Sequence, residues 1–139
     1  MPARDVLLDT GPLVATLDRG DQWHDRCIGS WPQVVDRCLT TEAVLTEASH
    51  LVFRGGASAA LPLEFLLSAG IPILGLERAQ HRHAASLMAR YADVPMDYAD
   101  ASLVSAGVAL KIETVFTTDR RGFQAYRLTP RRGFTLLPE

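Results

Sequence analysis

Short apolar runs alternate along the chain with longer segments of helical periodicity. Val6–Leu8 is a continuous apolar run of the kind found in buried parallel strands. Between the strand-like runs, apolar residues recur at spacings of three and four, which predicts helices. The other predicted strands are 38–40, 71–76, 114–117 and 134–137, and the predicted helices are 11–18, 21–31, 42–53, 58–69, 77–91 and 99–110. Strands separated by helices indicate an α/β fold with a parallel sheet and helices on both faces.

Prolines and glycines set the bounds of several of these elements. Pro12 suits the first turn of a helix, Pro32 is expected to end one, and Pro62 is acceptable only near a first turn. A further proline in 71–76 places that strand at a sheet edge or at a strand start. The Gly pair in 54–56 predicts a helix end.

Length and composition narrow the class of protein. We expect the 139 residues to form a single domain, 1–139, and no apolar run approaches the roughly 20 residues of a membrane span. The first residues lack the apolar stretch and small-residue cleavage site of a secretory signal. The two cysteines, Cys27 and Cys38, form no C-x-x-C pair, so free thiols in a cytoplasmic protein are expected.

The charge is unevenly distributed. A net charge of −2 argues against a bulk nucleic-acid binder. However, 13 of the 14 basic residues are arginine, and five of these lie in the last 20 residues: Arg120, Arg121, Arg127, Arg131 and Arg132. This concentration predicts either a local anion-facing patch or solvated side chains that reflect genome base composition.

Two aspartates directly follow predicted strands. Asp9 comes after Val6–Leu8, and Asp119 comes after the strand 114–117. Either residue alone is explained as a helix cap. Because ligands bind beyond the carboxyl ends of strands in parallel α/β sheets, the pair indicates a site at that edge.

Three more acids lie on predicted helices or at the start of one. Glu47 shares an apolar stripe with Val44, Ala48 and Leu51, where a carboxylate is avoided unless it is paired or binds a cation; the alternative is a surface pair with His50 or Arg54. Asp97 and Asp100 fit an N-cap with an acid three residues later. Capping accounts well for Asp97. It accounts less well for Asp100, because Asp100 lies on the same side of the helix as the apolar residues that follow it.

Four of these acids come from four different elements: Asp9, Glu47, Asp100 and Asp119. If the four converge, their mutual repulsion is relieved by a divalent cation, and oxygen-only ligands select Mg²⁺ or Mn²⁺ over Zn²⁺. Such a cation activates water and stabilises charge on a phosphodiester. The residue types therefore predict a metal-dependent nuclease.

The sequence resembles the PIN-domain ribonucleases, and among them the VapC-like toxins of bacterial toxin–antitoxin pairs. The matching segments, in the family's order, are VLLDTGPLVATLDRGD at 6–21, TTEAVLTEASHLV at 40–52, MDYADASLVSAG at 96–107 and FTTDRRGF at 116–123. The resemblance implies a three-layer α/β/α fold with a central parallel sheet of four or five strands. It also implies hydrolysis of RNA phosphodiester bonds at a Mg²⁺ or Mn²⁺ site.

The resemblance assigns roles residue by residue. It implies catalytic and metal-binding roles for four acids, in chain order Asp9, Glu47, Asp100 and Asp119. It implies accessory roles for Asp97, as an extra acid, and for Thr118, as a supporting hydroxyl. Thr10 is expected to orient Asp9 or to contribute to the turn. Several relatives carry a further acid where this chain has Gly122, so we expect one tightly held ion.

Partners and alternatives follow from the same resemblance. Arg120 and Arg121 directly follow the fourth acid and are expected to meet the RNA backbone. The family implies a cognate antitoxin and a homodimer. The alternative function is a non-catalytic binding module that acts through complex formation with an antitoxin and operator DNA. A haloacid-dehalogenase-type phosphatase is disfavoured, because Gly11 stands where that family needs a second aspartate.

Overall fold

The computed structural model describes residues 3–139. Its strands are β1 Val6–Leu8, β2 Cys38–Thr41, β3 Ile73–Leu74, β4 Thr114–Phe116, β5 Arg127–Thr129, β6 Arg132–Gly133 and β7 Thr135–Leu137. Five of them form a parallel sheet in the order β3-β2-β1-β4-β7, and β5 pairs with β6 as an antiparallel hairpin. The predicted parallel sheet is therefore confirmed, with five strands.

Seven helices connect the strands. They are α1 Thr10–Leu17, α2 His24–Val34, α3 Glu42–Arg54, α4 Leu61–Ala69, α5 Arg78–Arg90, α6 Tyr98–Leu110 and α7 Arg120–Ala125, with a 3-10 turn at Val35–Arg37. Each element predicted from the sequence is present, and its ends lie within three residues of the prediction. No helix within residues 3–139 is long and apolar enough to cross a membrane.

Alternation along the strands separates two buried cores, one on each face of the sheet. Leu7 and Val115 contribute to a core with side chains of α5, α6 and α7. Their strand neighbours Val6, Leu8 and Phe116 contribute to the other core, with side chains of α1, α2 and α4. Because successive strand residues point to opposite faces, a sheet covered on both sides has uniformly apolar strands, as the sequence of β1 indicates.

One proline prediction is wrong and two are confirmed. Pro32 lies inside α2 instead of ending it. It removes one backbone hydrogen bond close to the end of the helix, while the neighbouring Trp31 packs against Phe65 and Phe116 and holds the last turn in place. Pro62 does lie in the first turn of α4, and the proline-containing strand β3 is an edge strand.

The sequence patterns did not predict α7 or the β5–β6 hairpin. The six residues of α7 are too few for a helical period to be visible. The hairpin is mostly exposed, so its strands lack apolar alternation. The helix α7 follows β4 and is capped by the fourth predicted acid, Asp119, and the hairpin follows α7.

Candidate active site

A cleft of about 320 Å³ opens at the carboxyl edge of the sheet. Its six carboxylates are Asp9, Asp21, Glu47, Asp97, Asp100 and Asp119. All four acids predicted as ligands therefore line one cleft, together with the predicted accessory acid. Asp21 was not singled out from the sequence, because it lies in a turn before α2 where an aspartate is unremarkable.

Asp9 is the most deeply placed of these acids. The residue is only 4% exposed and begins α1 at the end of β1. Its backbone N–H donates to the Phe116 carbonyl at 2.9 Å, which continues the pairing of β1 with β4. Its carboxylate Oδ2 accepts a hydrogen bond from Thr117 Oγ1 at 2.7 Å. The two central strands therefore fix the position of this carboxylate.

Thr117 connects the first and fourth predicted acids. Besides donating to Asp9, its hydroxyl oxygen accepts a hydrogen bond from the backbone N–H of Asp119 at 2.9 Å. The neighbouring Thr118, for which the resemblance implies a supporting role, lines the cleft beside Gly11, where a side chain at position 11 would collide with its hydroxyl. Its accessory role stays a prediction. A buried threonine at the end of a predicted apolar strand was the available signal for Thr117.

Glu47 faces the cleft from the middle of α3. The buried stripe of this helix consists of Val44, Ala48 and Val52, and the predicted member Leu51 is 42% exposed. The buried stripe therefore ends at Val52, one residue after the predicted Leu51. Glu47 and Leu51 both line the cleft beside this stripe. Within the described residues, Glu47 forms no ion pair, so the alternative of a surface pair with histidine or arginine is not observed.

Asp97 and Asp100 form the predicted capping pair at the start of α6. Asp97 Oδ1 accepts from the Asp100 backbone N–H at 2.9 Å, and Asp100 Oδ2 accepts from the Asp97 N–H at 3.2 Å. Asp100 has a second partner, because the hydroxyl of the buried Tyr126 donates to Oδ2 at 3.3 Å. Asp100 thus caps the helix and also lines the cleft, whereas the sequence did not indicate Tyr126.

The three inner acids hold their protons more tightly than usual. Burial raises the pKa of Asp9 to about 6, although the hydrogen bond from Thr117 opposes the shift. Burial, with repulsion from Asp9 and Asp97, raises the pKa of Asp100 to about 8. Burial also raises the pKa of Glu47 to about 7, and the neighbouring Asp97 reinforces the shift. A cation in the cleft would offset these penalties.

The donor set fits Mg²⁺ or Mn²⁺ in its chemistry, since all six side chains offer carboxylate oxygen. Thr10 Oγ1 is a further buried oxygen, and it makes no hydrogen bond within the described part of the chain. As the side chains stand, no three His, Cys, Asp or Glu residues among 3–139 form a group that could hold a metal ion. The carboxylates thus share a cleft without closing on one point.

Asp119 marks the exposed rim of the cleft. Its Oδ1 accepts from the Gly122 backbone N–H at 3.0 Å and so caps α7. A Cβ at position 122 would collide with Asp119 Oδ2 and would lie 3.0 Å from the Tyr126 hydroxyl. Glycine at 122 therefore leaves room for the Asp119 carboxylate. The expectation of one bound ion, which came from the absence of an acid at position 122, stays a prediction.

The C-terminal arginines do not form one patch. Arg127 donates to the backbone carbonyls of Gln124 and Tyr126, and Arg132 pairs with Glu113 at 3.1 Å. Arg120, which directly follows the cleft-lining Asp119, packs instead against the Trp23 ring. The two cysteines are buried free thiols, as expected.

The five-stranded parallel α/β fold that holds this cleft is that of a known family of proteins. Residues 6–128 match the PIN domain, and the chain belongs to the PIN domain family. Among curated proteins it is similar to ribonuclease VapC26 of Mycobacterium tuberculosis, with 29% identity over 96% of this chain and 100% of the relative. The chain is a homologue of the VapC ribonuclease toxins of toxin–antitoxin systems.

Solved structures show the same fold. VapC20 of Mycobacterium tuberculosis, a sarcin–ricin loop cleaving toxin, superposes with a TM-score of 0.77 at 16% identity, over 89% of this chain and 98% of that one. The VapBC2 complex of Rickettsia felis on a promoter DNA fragment gives 0.64 at 14% identity, over 94% and 97%. A toxin–antitoxin complex from Klebsiella pneumoniae gives 0.61 at 16% identity, over 91% and 98%. At these identities the likeness establishes the fold.

Proposed function

We propose that the chain is a Mg²⁺- or Mn²⁺-dependent endoribonuclease and the toxin of a toxin–antitoxin pair. The observation that carries the proposal is the cleft lined by carboxylates that follow β1 and β4 and that lie on α3 and α6. Three of these carboxylates are buried enough to raise their pKa values, and such perturbed groups cluster at functional sites. Similarity to a ribonuclease over the whole length of that relative supports the same reaction.

In the proposed site, Asp9, Glu47, Asp100 and Asp119 hold the metal. When bound, the ion stabilises negative charge on the phosphate and lowers the pKa of water. The chain itself fixes Asp9 through Thr117 and Asp100 through Tyr126. Glu47 is half-buried and lines the cleft; with one carboxylate oxygen on the metal, its other oxygen is suited to accept a proton from the attacking water. The water oxygen bonds to phosphorus as the bond to the 3′ oxygen breaks. The departing 3′ oxygen takes up a proton from solvent water, which leaves a 5′-phosphate and a 3′-hydroxyl.

The test is cleavage of total cellular RNA by the purified chain in Mg²⁺ or Mn²⁺. Asp9→Asn and a chelator should each abolish discrete fragments. Asp36→Asn is the matched control, because this exposed aspartate precedes β2 at the opposite edge of the sheet. An absence of cleavage by folded protein would contradict the proposal and favour the non-catalytic binding module.

A protein antitoxin is the proposed partner. Two of the solved structures that share the fold are complexes from toxin–antitoxin systems, one of them on promoter DNA. The proposal predicts that co-expression with the protein encoded beside this chain gives a complex in which cleavage is suppressed. A co-expressed neighbour that leaves cleavage unchanged would argue against it.

A further inference from the structure

Two arginines from distant parts of the chain meet on one indole ring beside the acidic cleft. The guanidinium carbon of Arg26, in α2, lies 4.4 Å from the centre of the Trp23 ring, and that of Arg120, in α7, lies 5.6 Å from it. Both distances are within the range of cation–π contacts. We call Trp23, Arg26 and Arg120 the Trp–Arg cluster.

The cluster lies at the rim of the cleft. Trp23 is tied to the cleft-lining Asp21, whose Oδ1 accepts from the Trp23 backbone N–H at 2.8 Å. Arg120 directly follows Asp119, which also lines the cleft. Both connections are short, so a phosphodiester chain with one phosphate in the cleft would bring a neighbouring nucleotide to the cluster.

The two arginines of the cluster differ in their partners. Within the described residues, neither Arg26 nor Arg120 forms an ion pair with a side-chain carboxylate. Arg26 donates to a main-chain carboxylate oxygen of Glu139 at 2.5 Å, whereas the guanidinium of Arg120 makes no hydrogen bond in the same part of the chain, so the charge of Arg120 is the one left for a ligand. An arginine has five N–H donors in a planar fork that matches phosphate oxygens.

Holding these two arginines together has a cost that a ligand would offset. The pKa of Arg120 is lowered by burial and by the like charge of Arg26. An anion between the two guanidinium groups removes that repulsion. The half-buried indole adds an aromatic surface of the kind on which bases stack in proteins that bind single strands.

We propose that the Trp–Arg cluster is a subsite for RNA, where Arg26 and Arg120 bind a phosphate next to the one in the cleft and Trp23 contacts the adjoining base. This subsite rests on the proposed ribonuclease function and extends it to residues of α2. The proposal assigns phosphate binding to Arg120 and not to its neighbour Arg121, which is exposed and lies outside the cluster.

The experiment measures binding of a fluorescein-labelled single-stranded RNA by anisotropy across a salt series. All variants are made in the Asp9→Asn background, so that the RNA is not cleaved. Arg26→Gln and Arg120→Gln should each weaken binding about tenfold and lower the salt slope by about 0.7, the value for one contact to a single strand. Arg120→Lys should restore the slope, because it restores the charge.

The matched control is Arg132→Gln. Arg132 is an exposed arginine that pairs with Glu113 before β4, at the opposite edge of the sheet, so its loss should leave affinity and slope unchanged. For the base contact, Trp31→Phe leaves Trp23 as the only tryptophan, since the chain has two. RNA should then quench the remaining fluorescence, and Trp23→Leu should weaken binding about tenfold without changing the salt slope.

The outcomes separate the two proposals. Wild-type affinity and slope in both Arg→Gln variants, together with cleavage by the chain with intact acids, would overturn the subsite and leave the nuclease standing. An equal loss in Arg132→Gln would also overturn it, since the effect would then be one of overall charge. If the chain neither binds nor cleaves RNA, both proposals fail.

Discussion

The inner wall and the rim of the cleft carry the same chemical group in opposite settings. On the inner wall, Asp9 and Asp100 are held by hydrogen bonds from the side chains of Thr117 and Tyr126, and burial raises both pKa values. On the rim, the exposed carboxylates of Asp97 and Asp119 accept from backbone N–H groups at the starts of helices. The two inner acids are thus costly to ionise, although Asp100 also takes part in the cap of α6. The rim acids are exposed, and capping alone accounts for their hydrogen bonds to the backbone.

The largest expected effect separates the two settings directly. Asp9→Asn should lower RNA cleavage about 1000-fold, because the variant loses a charged ligand at a fixed position. The same variant should raise the free energy of unfolding at pH 8 without metal by about 2 kcal/mol, since a buried charge is removed. Asp119→Asn should also reduce cleavage, but it should leave stability within about 0.5 kcal/mol, because asparagine caps helices as well as aspartate does. Cleavage assays and urea unfolding measure both effects. Equal stability changes would contradict the contrast.

The next effect concerns the hydroxyl that joins wall and rim. Thr117→Val should cost about 2 kcal/mol of stability and reduce cleavage about tenfold, because the Asp9 carboxylate loses a donor and the Asp119 N–H loses its acceptor. Thr118→Val is the matched control. It should change the free energy of unfolding by less than about 0.5 kcal/mol and the rate of cleavage by less than about twofold. A larger loss of stability or cleavage in Thr118→Val would show that Thr118 supports the site, as the resemblance implies.

The pH dependence of stability tests the raised pKa values of Asp9, Glu47 and Asp100. Each raised pKa lies above the ordinary carboxyl value near 4, so the folded state binds more protons between that value and about 8. The stability from those protons is complete below about pH 4 and is lost as pH rises through 6 to 8. Without metal, Tm should therefore fall by about 5–10 °C between pH 5 and 8.5. In Asp9→Asn the fall should be clearly smaller, and an unchanged slope would contradict the shift assigned to Asp9.

The smallest effect is that of the metal on Tm. Millimolar Mg²⁺ or Mn²⁺ should raise Tm at pH 8 by about 2–4 °C through linkage to the folded state. At pH 6 the rise should be smaller, because the ion competes with protons on Asp100 and Glu47. Differential scanning fluorimetry with Ca²⁺ as a control ion gives the comparison. A rise that is equal at both pH values would place the ion outside the inner wall.

Local pattern predicted the elements of the fold well, because each apolar period is written in a few consecutive residues. It predicted Asp9 and Asp119 for the same reason, since both directly follow recognisable strands. Thr117 and Tyr126 escaped prediction because their roles depend on contacts across 108 and 26 positions. The helix that carries Glu47 was also predicted. Whether Leu51 or Val52 is buried depends on how α3 packs against its neighbours, which the local pattern does not contain.

The pairing of β1 with β4 also has a consequence for how the protein is made. The ribosome adds Asp9 108 residues before Thr117, the hydroxyl that holds its carboxylate. Until β4 has left the ribosome, β1 has no β4 beside it, so the nascent chain carries acids without the geometry that brings them together. The site assembles only after Thr117 has emerged, when this contact of large sequence separation closes.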